Sequence, residues 1–485
     1  MAWVNRNTLP VTRKTSIAIR LVDYCYSRRD EKPNEFFNMA NRYNTLQANL
    51  SKIPGMPIAY WVSEKIFEAY NRAMLLGDIG RASEGVKTGN NDLYLKLWYE
   101  ISASKFSFGT ASHEFKWYPH HKGGEYRKWY GNLEWVINWE NQGYEIKNSA
   151  NSGLQGKDMY FQPVICWSKI TSKGTSLRYI PANCLFDSGS PAFWSSSSLR
   201  YYLGFLNSKI AEYILKCKNP TLNCQVGDIK ALPILFDNKT AQVETAVADC
   251  VNISRYDWNS FEISWDFVRH PFLGFKTDDK RIADAFEIWQ NFIKMRFEKL
   301  KANEEEINRI FIDIYGLLDE LTPEVEDNYI TIHKADLGRD VRSFISYAVG
   351  CMFGRYSLDV DGLAYAGGKW DTDKYSTFIP DKDNIIPITD EEYFEDDIVG
   401  LFCAFLKKTF GSETLEENLD FIAKALGNKG NSSRQIIRNY FQKDFFKNHC
   451  KIYKKRPIYW LFDSGKAEGF KAIVYMHRYN EDTIG

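Results

Sequence analysis

The 485 residues contain no Pro-Pro dipeptide, so the Asn/Asp-Pro-Pro-aromatic loop that holds a flipped adenine in amino-methyltransferases is absent. There is no Gly-x-Gly either, which removes the dinucleotide fingerprint and a typical S-adenosylmethionine loop. No Gly-x4-Gly-Lys-Ser/Thr cradle, Gly-x-Ser-x-Gly elbow or His-Glu-x-x-His helix occurs, so no complete catalytic constellation of a common kind is present. The nine cysteines include no Cys-x-x-Cys and no His/Cys cluster has zinc spacing, so no metal is expected. Scattered thiols of this kind read as reduced and buried, in a cytoplasmic protein. The adjacent His120 and His121 read as a wet loop. The longest nearly apolar stretch, about 399–406, is far short of the ~20 residues that cross a bilayer, and the start has no apolar signal region. No membrane partner is expected. Net charge is also lacking: 62 Lys+Arg face 62 Asp+Glu, which excludes a uniformly basic coat but not a local basic surface.

What is present is an ordinary globular composition, 44% hydrophobic and 26% charged. The length suits two to four domains. Aromatic residues reach 15%, which fits large aromatic cores or rings stacked on a flat partner such as a nucleobase.

Along the chain, 1–57 is mixed and polar and ends in the connector Ser51-Lys52-Ile53-Pro54-Gly55-Met56-Pro57. Ser63 is placed to cap a helix with Ile66, Phe67 and Tyr70 on one face. The second region, 58–236, carries short β-branched or aromatic runs at 93–100, 164–167 and 177–180 that read as strands. A Ser-rich loop at 195–198 precedes a helix predicted over 199–216, with Leu203, Leu206, Ile210 and Ile214 at helical spacing. The third region, 237–485, is mainly helical. Apolar series at 282–300 and 307–318 flank the charged patch 301–306, which reads as an exposed helix face or the turn of a helical hairpin. The whole is an α+β fold: a mixed α/β domain followed by a mainly helical C-terminal part.

Two stretches carry chemistry. Residues 115–132 alternate basic and aromatic side chains around Gly123-Gly124. Arginine can pair with guanine or phosphate, a ring can stack on a base, and glycines admit phosphate to backbone N–H groups. A hairpin with inward rings and solvated charges fits equally. Between Leu426 and Trp460, nine Lys/Arg (Lys429, Arg434, Arg438, Lys443, Lys447, Lys451, Lys454, Lys455, Arg456) face a single acid, Asp444, which suits a phosphate-tracking surface or a solvated helix face. Asp359-Val360-Asp361-Gly362 opens like a calcium loop but lacks the later ligands.

Lys128-Trp129-Tyr130-Gly131-Asn132 and the following 138–147, Asn-Trp-Glu-Asn-Gln-Gly-Tyr-Glu-Ile-Lys, closely resemble the PglX family, the adenine-specific DNA methyltransferases of BREX phage-exclusion systems. Gly85-Val86-Lys87-Thr88-Gly89-Asn90-Asn91 is similar to the loop opening that family's target-recognition domain. Leu206-Asn207-Ser208-Lys209, with 227–234, is similar to its end. The stretches 309–317, 350–359 and 455–463 also resemble family signatures, and the match runs from about Ser51 to the last residue.

The resemblance implies residues 1–57 as a remnant of or connector to a methyltransferase domain, 58–236 as the target-recognition domain and 237–485 as a helical spacer that binds DNA backbone. The family's base-binding and cofactor motifs have no counterpart here, so a fragment or split-gene product is expected. No catalytic residue carries over, and S-adenosylmethionine and adenine-N6 methylation belong to the missing part. Double-stranded DNA is the expected partner. Lys87, Asn90, Asn91, Lys122, Arg127, Lys128, Trp129, Tyr130, Lys169, Lys173 and Arg178 are the candidate readers, and Arg434, Arg438, Lys454 and Lys455 the candidate phosphate contacts. A methyltransferase half and other BREX proteins are further candidate partners. The alternative is a protein-interaction module that docks those components or a phage inhibitor mimicking DNA. A metal-dependent nuclease is a third reading, with no compact Asp…Glu-x-Lys cassette to support it.

Overall fold

Ser63 accepts a hydrogen bond from the Lys65 N–H and starts helix α1 (Glu64–Arg72), whose Ile66 and Phe67 are buried, as the spacing predicts. The computed structural model describes residues 15–484, apart from 22–23, 25, 51, 56–59, 109–113, 172, 220, 222, 428 and 466–469. Cys25, and Ser51, Met56 and Pro57 of the expected connector, lie outside the described residues. Helix makes up 46% and strand 14%, in several small sheets, so the fold is α+β.

Eleven strands form the three larger sheets. They are β1 (Arg81–Ser83), β2 (Leu95–Leu97), β3 (Trp117–His121), β4 (Trp135–Asn138), β5 (Val164–Trp167), β6 (Leu177–Ile180), β7 (Leu185–Phe186), β8 (Ala192–Trp194), β9 (Ile385–Ile388), β10 (Tyr459–Asp463) and β11 (Lys471–Tyr475). One sheet runs β6-β5-β8-β1, a second β7-β3-β4-β2, and a third β9-β11-β10. The runs at 164–167 and 177–180 pair antiparallel, Val164 opposite Ile180. The run at 93–100 divides into a helical turn, strand β2 and a 3₁₀ turn, because Asn90 caps Asn91–Tyr94 and Glu100 accepts the Leu97 N–H.

The helix expected over 199–216 is two helices, α2 (Leu199–Leu206) and α3 (Lys209–Lys218). Asn207 breaks it by pairing its side-chain amide with both the N–H and the C=O of Leu177, at 3.0 Å each. Ser208 then caps α3. Conversely, 282–314 is a single 33-residue helix, so 301–306 makes no turn. Helix α4 (Thr240–Asn259) packs on α5 (Ile282–Ile314), and Gly204 of α2 meets Val243 and Val247 so closely that an added Cβ would lie 2.9 Å from each.

Two hydrophobic cores interlock. One joins the two four-stranded sheets to α1 through α4 and the second half of α5. The other takes Leu97, Trp98, Tyr99 and Val136 from the sheet region. It packs them with the first half of α5, α6 (Leu337–Met352), α7 (Ile398–Phe410) and α8 (Leu415–Leu426), and with the final helices and β11. Trp289 is buried in this second core, as expected, with Phe286 packed against it. The described cysteines are all free, and every one but Cys450 is buried.

His120 and His121 are not in a wet loop; both sit in β3 with no exposure. Burial holds His121 well below its usual pKa and takes His270 and His449 to about 3 and His477 to about 4. An unfolded histidine titrates near 6.5, so between about pH 6.5 and 4 the unfolded chain binds more protons than the folded one. Stability is therefore complete above about pH 6.5 and falls below it, on the order of 1 kcal/mol per pH unit for each such histidine. Melting temperatures measured from pH 8 to 4.5 should be flat, then drop. A level profile through pH 5 would contradict neutral burial.

Candidate nucleic-acid interface

The densest basic-aromatic run, 115–132, lies largely inside the protein. Trp129 and Asn132 adopt left-handed backbone (φ 71° and 56°), which folds the segment against β6. Trp129 N–H donates to the Leu177 C=O and the Trp129 C=O accepts from Tyr179 N–H, both at 2.9 Å. Its indole N–H donates to Glu304 Oε1 at 2.7 Å, while Lys128 Nζ reaches Glu304 Oε2 at 2.9 Å. Arg127 donates to Asp257 Oδ2 at 3.1 and 3.0 Å. Asp257 also accepts from the His333 N–H. Tyr130 is buried with Arg255 over its ring. Burial pushes the Lys128 ammonium down, but Glu304 and Tyr126 overcome it and carry the group above its usual range.

The expectation that Arg127, Lys128, Trp129 and Tyr130 face DNA is therefore corrected. Arg127, Lys128 and Trp129 are committed to the carboxylates Asp257 of α4 and Glu304 of α5, because a buried charge requires a partner, and Tyr130 lies under Arg255. Arg178 is corrected likewise. It is fully buried and donates to His121 Nε2 (3.2 Å), the Arg127 C=O (2.8 Å) and Ser168 Oγ (3.2 Å). Burial lowers it to about 10. Arg438, expected on phosphate, is corrected too: it is buried and bidentate on Asp397 at 2.7 Å.

The remaining candidates are at the surface, and the loop 187–189 gathers several of them. Ser188 N–H donates to the Val86 C=O beside Lys87, Asp187 N–H to the His121 C=O beside Lys122, and Lys169 N–H to the Gly189 C=O. Lys87, Lys122 and Lys169 therefore lie beside one loop in the chain path. Lys122, Gly123, Gly124, Ser168 and Lys169 line an open cleft of about 460 Å³, with the Arg178 guanidinium beneath Ser168. Gly123 and Gly124 have φ of +81° and +124°, and a Cβ on Gly124 would come within 2.8 Å of Asn132. Asn90 and Asn91 are exposed, but their side-chain oxygens already accept from the Leu93 N–H and the Thr88 hydroxyl. Lys169 is paired with Glu84 at 2.6 Å. Lys173 stands apart, over a cleft it shares with Lys209 and Glu212.

The basic C-terminal stretch meets this face at Trp135, a residue the sequence reading passed over. Lys122 Nζ lies 4.5 Å from the Trp135 ring centre and the Arg456 guanidinium 5.8 Å from it. Arg456 donates to Glu100 Oε2 at 2.8 Å, and Lys454 pairs with Glu134. Lys454 and Lys455 are both left-handed (φ 52° and 62°). Upstream, α9 (Ser433–Tyr440), a π-turn and α10 (Phe446–Ile452) run on continuously. Lys443, Lys447 and Lys451 project from it into solvent at four-residue spacing, followed by exposed Lys455. Four helical residues rise about 6 Å, so Lys443, Lys447 and Lys451 form a row, and Lys455 follows past the helix end. Arg434 is exposed but bidentate on Glu416 at 2.6 Å.

Glu304 was also missed, although a signal existed: Leu300, Glu304, Ile307 and Phe311 share one stripe of α5, and the other three are core residues. The charged patch 301–306 is thus an exposed face only in part. The Asp359 carboxylate accepts from the Ser376 and Thr377 N–H groups at 2.8 and 2.9 Å, and Asp361 pairs with Arg269. Among the described residues no helix is long and apolar enough to cross a membrane.

No protein-family model matches the chain. Two curated proteins do. The chain is 44% identical, over 96% of its length, to an adenine-specific methyltransferase PglX of Lacticaseibacillus casei (strain Zhang). It is 38% identical, over its full length, to an adenine-specific methyltransferase BrxX of Escherichia coli O9:H4 (strain HS). The match occupies 41% and 42% of those proteins. From one end to the other, this is a PglX-type chain that spans about two-fifths of the length of the curated relatives it matches.

Proposed function

We propose that this chain is the DNA-recognition part of a BREX-type adenine-N6 methyltransferase. Methyl transfer from S-adenosylmethionine, after base flipping, would take place on a part of the enzyme outside it. The observation that carries the reading is the 44% identity to a PglX methyltransferase along nearly the whole chain. The surface supports it: a chain of zero net charge exposes Lys443, Lys447, Lys451 and Lys455 close together, and carries exposed Lys87 with half-buried Lys122 and Lys169 around the 187–189 loop.

In this reading the row Lys443, Lys447, Lys451 and Lys455 tracks phosphates of one strand. The region 58–236 reads a short non-palindromic site by base edges in the major groove, with Lys87, Lys122 and Lys169 at its rim and the amides of Asn90 and Asn91 on base edges. The region 1–57 connects to the catalytic part, and 237–485 braces the reader. Titrating a labelled duplex at two salt concentrations tests this. Binding should weaken as salt rises, with log K linear in log salt. Affinity that ignores salt would remove the phosphate contacts and the reading with them.

A second reading has its own observation. Ile17, Tyr26, Phe37 and Met39 are 66–81% exposed in the N-terminal segment, which suits docking to other BREX components. A DNA-mimicking phage inhibitor would instead take the lysine row. Competition by duplex separates them, since only the inhibitor would be displaced.

A further inference from the structure

The stretch 138–147 takes no part in the contacts described above, yet it holds the longest run of left-handed backbone among the described residues. Asn141, Gln142 and Gly143 have φ of 50°, 57° and 73° with ψ of 44°, 37° and 30°. Gly143 is bound to this conformation. Its N–H donates to the Trp139 C=O at 3.2 Å, and a Cβ would lie 2.7 Å from the Trp139 ring. Asparagine tolerates the left-handed region, whereas the Cβ of a glutamine crowds the following carbonyl there.

The two ends of the segment are fixed by packing. Trp139 and Ile146 are buried, and Asn138 Nδ2 donates to Glu145 Oε2 at 3.0 Å. Nothing of this kind holds Asn141 or Gln142. Both are exposed, and neither side-chain amide has a partner among the described residues. A glutamine in a costly conformation, with no contact that offsets the cost, adds nothing to the stability of the chain. Strain of that kind gathers at functional sites.

The neighbours of the turn belong to the recognition region. The helical segment Glu140–Lys147 packs on Gly153 and Leu154, which pair antiparallel with Lys87 and Val86. Gly89 lies so close to Ala150 that a Cβ would come within 2.4 Å of the Ala150 C=O. The amide oxygens of Asn90 and Asn91 in that opening loop are engaged, by the Leu93 N–H and the Thr88 hydroxyl. Asn141 and Gln142 keep both the donor and the acceptor of their amides.

Adenine presents an acceptor, N7, beside a donor, N6–H2, in the major groove, and a carboxamide matches that pair bidentately. We propose that Asn141 and Gln142 are base-reading residues that select adenine, the amide oxygen accepting from N6–H2 and the amide N–H2 donating to N7. This rests on the DNA-recognition reading and deepens it, since it names the base and the residues that read it. The strain at Gln142 serves to place a free amide beside the opening loop.

Selection from a randomised duplex pool with the full chain supplies a consensus, and anisotropy gives the affinity ratio of consensus to scrambled duplex. Asn141→Ala combined with Gln142→Ala should lower that ratio about 10-fold or more, as expected for lost bidentate pairs. Putting 7-deazaadenine, which lacks N7, at each consensus adenine should weaken wild-type binding about 5-fold or more at the contacted positions. The double variant should not respond at those positions, a coupling that only direct contact produces. Gln142→Gly should lower the ratio while raising the melting temperature, because the left-handed backbone costs glycine nothing. A ratio unmoved in the double variant, an equal 7-deazaadenine effect in both proteins, or a lower melting temperature for Gln142→Gly would overturn the inference. So would wild-type binding that depends on salt but is blind to sequence, which leaves the phosphate contacts standing. Absence of salt-dependent duplex binding would instead remove the recognition reading itself, and this inference with it.

Discussion

Replacing Lys443, Lys447, Lys451 and Lys455 together by alanine is expected to weaken duplex binding on the order of 100-fold at ~0.1 M salt. The slope of log K against log salt should become shallower by about 3 to 4, since each phosphate contact contributes about 0.9. All four side chains are exposed, and none has an ion-pair partner among the described residues. Folding should therefore be unaffected, and the melting temperature provides that control. The loss should be similar for any duplex sequence, because phosphates carry no base identity. Fluorescence anisotropy across a salt series measures both quantities. If affinity and slope both stayed where they were, this face would not hold DNA, and the second, protein-docking reading would gain.

The other large effect falls on stability. Glu304→Ala is expected to destabilise the fold by about 3–5 kcal/mol, because it strands the Lys128 ammonium in the interior. It also removes the acceptor of the Trp129 indole N–H. Pairing it with Lys128→Met should recover most of that loss, since the buried charge leaves with its partner. Urea unfolding of the two single variants and the double variant gives the coupling directly. A loss below 1 kcal/mol for Glu304→Ala would mean that Lys128 reaches solvent. Arg127→Ala belongs to the same class. It leaves the buried Asp257 with His333 alone, so lower stability should accompany any change in DNA affinity.

Much of the chain was legible before folding. The Ser63 cap, the strands at 164–167 and 177–180, the loop at 195–198 and the burial of Trp289 follow from local rules: a side-chain acceptor at a helix start, β-branched runs between turns, and apolar residues at helical spacing. Where local rules failed, a distant partner had intervened. Asn207 broke a well-patterned helix because Leu177, 30 residues earlier, presented an unpaired edge. The patch 301–306, read as a helix face or a turn, is helix, but it buries Glu304 against Lys128, 176 positions away.

The same physics divides the candidate site. Sequence alone determined the kinship with PglX, the α+β composition and the position of the cationic stretches, because these depend only on residue order. Which cations face solvent was decided only by tertiary structure. Alternating charge and aromaticity describe a nucleic-acid surface and a buried ion-pair layer equally well. Asp257, Glu304 and Asp397 drew Arg127, Lys128 and Arg438 inward, since a carboxylate and a cation leave water at tolerable cost only together. The lysines at 443, 447, 451 and 455 have no such partner among the described residues, and solvation kept them outside.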